Sequence, residues 1–204
     1  MLLIESYRPP VGEAPEGVLL SAALPAVVMQ LGRPEVAAVL WHRPLPGGLA
    51  GVTAPLLAAL LAAGPFHRSC RFAGNGAAAM LAPLLPAPAP PDLLANCAVL
   101  GAFFAMAVGG GEGVLHLAAL AGGAAPRWPV QPAGCRLLAA YAGPGLAARL
   151  PPEAGGPGAV RRLPRGTVWA LKGPACPGQP AANAGHAAGA PPRLLLCLEQ
   201  GGGG

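Results

Sequence analysis

Aspartate is nearly missing from this 204-residue chain: Asp92 is the only one among eight carboxylates. Lysine is reduced to Lys172, aromatic residues make up 4% and all charged residues together 10%. So few acids count against a two-carboxylate glycosidase, which needs a facing pair. No G-x-x-x-x-G-K-[ST], G-x-S-x-G or H-E-x-x-H occurs, so nucleotide-binding, serine-hydrolase and zincin chemistry have no foothold. The tracts GGGEG and GGGG lack the strand-to-helix setting of a phosphate loop. The five cysteines, Cys70, Cys97, Cys135, Cys176 and Cys197, form no C-x-x-C pair and are odd in number. That argues against a zinc knuckle and against a secreted disulfide framework. The start, MLLIESYRPP, has no basic region ahead of its apolar residues and reaches Glu5 early, so it does not read as a signal peptide. A cytoplasmic protein with free thiols is expected.

What the chain does have is alanine, 31 glycines and 27 prolines, which blur element boundaries. Its length suits one domain. Residues 1–34 read as a Pro-rich lead containing the short apolar piece ALPAVVMQL. The domain is expected over 35–199, mainly helical over 35–111 and β over 112–199, followed by a Gly tail at 200–204. In the first half EVAAVLW reads as a strand, TAPLLAALLAA as a helix capped by Thr53, FHRSCRF as a short strand and NGAAAMLAPLL as a helix. In the second half the runs VLHLAAL, CRLLAAY, AVRRL, TVWAL and RLLLCL, bounded by Gly and Pro, predict strands of a sandwich or barrel. The fold class expected is α+β, a helical N-terminal layer packed on a C-terminal antiparallel β barrel or sandwich.

Two stretches suggest partners. The net charge of +5 is almost all arginine, densest at Arg161, Arg162 and Arg165 with Trp169 close by. That pattern offers nucleic-acid binding as an alternative to a solvated strand edge. DLLANCAVLGAFFAMAVGGG is long enough to imitate a membrane span. Asn96, the Ala/Gly content and the lack of basic flanks favour a buried helix instead, N-capped by Asp92 and stopped by the glycines at 109–111.

Four histidines could act as ligands or bases: His42, His67, His116 and His186. His42 and His67 follow apolar elements at turns, and His116 sits within VLHLAAL, where core and solvent are both open to it. His186 precedes the arginine of the last apolar run, Arg193.

The runs PRWPVQPAGCRLLAAYAGPG, RRLPRGTVWALKGPACPG and GHAAGAPPRLLLCLE resemble successive motifs of the bacterial domain-of-unknown-function family 1826. VLWHRPLP and DLLANCAVLGAFFA fall where that family has a strand and a helix, so the likeness covers about 35–199. The family's C-P-R-[FW]-H-V-D, its distal His and its following Arg in turn look like the Fe(II) and 2-oxoglutarate site of double-stranded β-helix (cupin-like) oxygenases. Two imidazoles and a carboxylate leave metal positions open for substrate and oxygen, while an Arg clamps a carboxylate. The resemblance also implies a link to zinc and metal homeostasis.

This chain departs from the pattern where the ligands belong. Pro129 and Gln131 stand at the His and Asp positions, Leu146, Ala147 and Ala148 replace T-E-W, and Ala187 replaces the Arg after the distal His. Proline offers no ligand atom and a neutral amide is a poor donor to Fe(II). Tyr141, the GPG turn, Lys172, His186 and Arg193 remain. The expectation is therefore a degraded member with no catalytic residues and no cofactor, acting as a binding or accessory module for a small molecule or protein. His186 and Arg193 are its anion-binding candidates, with Tyr141, Pro129 and Gln131 as the vestigial site. The alternative is an active Fe(II)/2-oxoglutarate-like or Zn(II) enzyme in which His116 or Cys135 joins His186 as a replacement ligand.

Overall fold

The computed structural model describes residues 3–6, 18–73, 76–86, 88–122, 134–145, 147–149, 160–173, 184–185 and 191–200. Pro129, Gln131, Leu146, Cys176, His186 and Ala187 lie outside them. Eight strands form one sheet: β1 (Leu3–Ser6), β2 (Val18–Ala22), β3 (Val36–Trp41), β4 (Phe66–Ala73), β5 (Glu112–Leu120), β6 (Cys135–Ala142), β9 (Val168–Lys172) and β11 (Arg193–Gln200). Their order across it is β1-β2-β3-β9-β6-β11-β5-β4. A second sheet is made of β7 (Ala147–Arg149), β8 (Val160–Arg162) and β10 (Ala184–Gly185), in the order β10-β7-β8. The division into a helical and a β half is thus loose, since β1 to β4 join the same sheet as the later strands. Nor is that sheet wholly antiparallel: β2 and β3 run parallel, and the chain crosses between them through a 3-10 helix, Pro25–Gly32.

The central strands are buried on both faces. Leu115 and Leu117 of β5, Leu137 and Ala139 of β6, and Leu194, Leu196 and Leu198 of β11 pack in one cluster with Leu49, Leu57, Leu93, Leu100 and Phe104 of the helices. Leu138 and Ala140 of β6, Leu195 and Cys197 of β11, and Trp169 and Leu171 of β9 form a second cluster on the opposite face. A strand covered on both sides gains from apolar residues at every position, hence RLLLCL and CRLLAAY without alternation.

Helix α1 (Gly47–Ala62) begins well before Thr53, with Pro46 as its N-cap. Thr53 is therefore no cap. Its buried hydroxyl lies 2.8 Å from Leu49 O and 3.0 Å from Tyr141 O, tying the helix interior to the sheet. Helix α2 (Ala77–Leu81) is short and leads into α3 (Pro91–Ala107). Asp92 does not cap α3 either: Pro90 is the N-cap, and Asp92 sits in the first turn, where a negative charge suits the helix dipole. The stop is as expected, since Gly109, Gly110 and Gly111 take φ of 78°, 82° and 96°. Seven residues of α3, from Leu93 to Ala107, are buried against the sheet and its neighbours. Among the described residues no helix is long and apolar enough to cross a membrane.

Candidate functional site

The faces of the large sheet differ in chemistry, and strand parity decides which residues share one. Arg193 opens β11 opposite Leu120 and shares its face with Leu195, Cys197 and Glu199. It is only 2% exposed, which places a guanidinium inside the protein on the face away from the helices. The GPG turn supports it from behind. Gly143 has φ of 79°, and a Cβ there would run into Pro192 O and the Cα of Arg193, so only glycine fits against that backbone.

Tyr141 does not join Arg193. It has the parity of Leu137 and Ala139, and so points to the helices. The β6–β11 register shifts there, with Leu194 opposite Ala142 but Leu195 opposite Ala140. Tyr141 is left opposite no β11 residue, and its carbonyl instead faces the Thr53 hydroxyl. Its own hydroxyl donates to Asn96 Oδ1 at 3.0 Å. Arg43 Nη2 donates to the same oxygen at 3.0 Å and Arg43 Nε to Gly166 O at 3.0 Å. Burial pushes the Tyr141 phenol well above its ordinary pKa, so it stays a donor. Tyr141 is thus a fastening between sheet and helix α3, and its contact together with that of Arg43 accounts for a buried Asn96 in an apolar helix. Lys172 is likewise structural: its Nζ donates to Arg33 O at 2.6 Å and Pro34 O at 3.3 Å, holding the end of the 3-10 helix.

The replacement-ligand idea meets the same parity test. Cys135 packs in the cluster under the helices and His116 lies on the other face opposite Cys197, while His186, which either would join, lies outside the described residues. Among the described residues no group of three or more His, Cys, Asp or Glu could hold a metal. The donors at the family-like positions, a proline and a neutral amide, do not fit Fe(II). Trp169 is 1% exposed and packed in the second cluster, so it cannot stack on bases beside Arg165, which is exposed. His42 is exposed at the end of β3.

Sequence reasoning weighs His67 and His116 singly and misses that they meet. On neighbouring strands β4 and β5, His67 Nε2 lies 3.4 Å from His116 Nδ1. His116 Nε2 lies 3.5 Å from Glu199 Oε2, and Glu199 Oε1 lies 2.7 Å from Arg136 Nε. Burial works against the Glu199 charge, but His116 and Arg136 outweigh it and hold the carboxyl below its ordinary pKa. The sequence signal is two strand histidines, but the segment 74–111, which carries α2 and α3, hides that their strands pair. A shallow pocket of about 270 Å³, bordered by Leu49, Asp92, Asn96 and Val99, opens separately between the starts of α1 and α3.

Comparison with known proteins gives a family and a fold. A family model described as a protein of unknown function (DUF1826) matches residues 22–199. No curated protein matches the chain. Among solved structures, a Pseudomonas putida prolyl-4-hydroxylase is similar with a TM-score of 0.54 at 13% identity, covering 87% of this chain and 99% of that one. A C-terminally truncated Neurospora crassa protein in its apo form gives a TM-score of 0.43 at 11% identity, covering 86% of each chain. At these identities the likeness concerns fold alone.

Proposed function

This chain belongs to the DUF1826 family of proteins of unknown function, and on that premise we propose that it is a catalytically degraded relative of the double-stranded β-helix oxygenases that binds a small carboxylate or other anion at Arg193. The strand order supports the barrel reading. After β5 and β6 in the large sheet the chain passes to the small one for β7 and β8, returns for β9, crosses again for β10 and ends in the large sheet with β11. Such alternation is how an antiparallel barrel of two facing sheets is wound.

The observation that carries the proposal is the burial of Arg193. An arginine cannot lose its charge at ordinary pH, and a guanidinium held inside the protein attracts an anion more strongly than one in water. Its planar fork suits a carboxylate bidentately. Loss of the ligand pair at Pro129 and Gln131 removes the Fe(II) chemistry but not this capacity. The protein then works as an accessory or binding module in a reducing compartment, the cytoplasm, in keeping with the free thiols of Cys70, Cys97, Cys135 and Cys197. A role in metal homeostasis is part of the same proposal.

Calorimetric titration with 2-oxoglutarate and succinate, with and without Fe(II) under anaerobic conditions, tests it. Binding that needs no Fe(II) and disappears in Arg193→Leu is expected. Stoichiometric iron, lost in His186→Ala and accompanied by conversion of 2-oxoglutarate to succinate, would replace the degraded reading with an active oxygenase.

A further inference from the structure

At the β4 edge of the large sheet, away from Arg193, the two histidines sit at a separation with a specific chemical meaning. An imidazole N–H donor ordinarily approaches its acceptor to about 2.7–3.2 Å. The 3.4 Å between His67 Nε2 and His116 Nδ1 is a long contact of that kind, and the same spacing suits an ion shared by the two rings. A tetrahedral ion about 2.0–2.1 Å from each of two imidazole nitrogens spaces them about 3.4 Å apart. The two ring centroids lie 5.5 Å apart, so the nitrogens are on the facing sides of the rings.

The supporting groups favour one tautomer. Glu199, 4% exposed, presents Oε2 to His116 Nε2 and is itself gripped by Arg136. A carboxylate on that side favours the tautomer with its proton on Nε2, in which the Nδ1 lone pair is directed towards His67. Carboxylate-bonded histidines of this kind are the usual outer support of metal-binding imidazoles.

We propose that His67 Nε2 and His116 Nδ1 are two ligands of a site for a divalent cation of the Zn²⁺ and Cu²⁺ class, with Glu199 and Arg136 positioning His116. Imidazole donors select these ions over Mg²⁺ or Ca²⁺. Because His67 is exposed, water completes the coordination, and the site exchanges its ion readily. This site does not rest on the anion-binding proposal for Arg193.

The test uses the full chain stripped with chelator and titrated with Zn²⁺ by calorimetry, with Cu²⁺ electron paramagnetic resonance to count nitrogen ligands. The expected result is one ion bound and two imidazole nitrogens in the Cu²⁺ spectrum. Affinity should fall on the order of 100-fold in His67→Ala, an exposed position where the fold is kept. It should fall about 10- to 100-fold in Glu199→Gln and stay unchanged in His186→Ala and Arg193→Leu. No uptake of Zn²⁺ by the wild type, or unchanged affinity in His67→Ala, overturns the proposal, and binding lost only in His186→Ala does the same.

Discussion

The two faces of the large sheet are built from the same strands yet do different work. Under the helices nearly everything is apolar, and the few polar groups there fasten element to element: Tyr141 and Arg43 to Asn96, Thr53 to Tyr141, Lys172 to the 3-10 helix. The opposite face mixes Leu138, Leu195 and Trp169 with Arg193, His116 and Glu199, all buried. Buried charge is weak support for stability, because the cost of leaving water offsets much of the attraction it gains. The helix face therefore holds the larger apolar core, while the opposite face combines a smaller apolar cluster with the buried charges.

That division can be broken in order of size. Phe104, 2% exposed in α3, anchors the helix face, and Phe104→Ala should cost about 3–5 kcal/mol by urea denaturation. A loss under about 1 kcal/mol would move the main core elsewhere. A smaller and pH-dependent effect belongs to the charged face. Glu199 has a folded pKa below its ordinary value, so its contribution is fully present above the unfolded carboxyl pKa and is lost as pH falls through the folded one. Thermal melts from about pH 7 down to about pH 3 should show this loss beginning below about 4.5, and Arg136→Met should flatten it. An unchanged slope in Arg136→Met would show that the pair does not couple to folding. The smallest effect is expected for Tyr141→Phe, which removes one hydrogen bond while Arg43 still serves Asn96. About 0.5–1.5 kcal/mol should be lost, with anion binding at Arg193 unaltered. A binding defect in Tyr141→Phe would put Tyr141 back in the ligand site.

Strand positions are largely legible because Gly and Pro punctuate apolar runs: VLHLAAL, CRLLAAY, TVWAL and RLLLCL each fall within or across β5, β6, β9 and β11. The family is legible too, through motifs rather than composition. Helix starts are not. Thr53 and Asp92 look like caps because both residue types favour that position, but Pro46 and Pro90 open the helices and packing overrides the preference. The pairing of Tyr141 with Arg193 fails for a different reason. One lies at an odd step of β6 and the other at an odd step of β11, and antiparallel register places those steps on opposite faces.

Three features are written into the chain locally: the apolar runs that become strands, the glycines that stop α3 and close on Arg193, and the proline and neutral amide at positions 129 and 131. Each follows from what a residue can bury, which φ it can adopt or which atoms it can offer. Folding had to add that β4 lies beside β5, that His67 reaches His116, and that Glu199 stands behind them. Those contacts depend on register between segments far apart in the chain, where a shift of one residue would send every side chain to the other face.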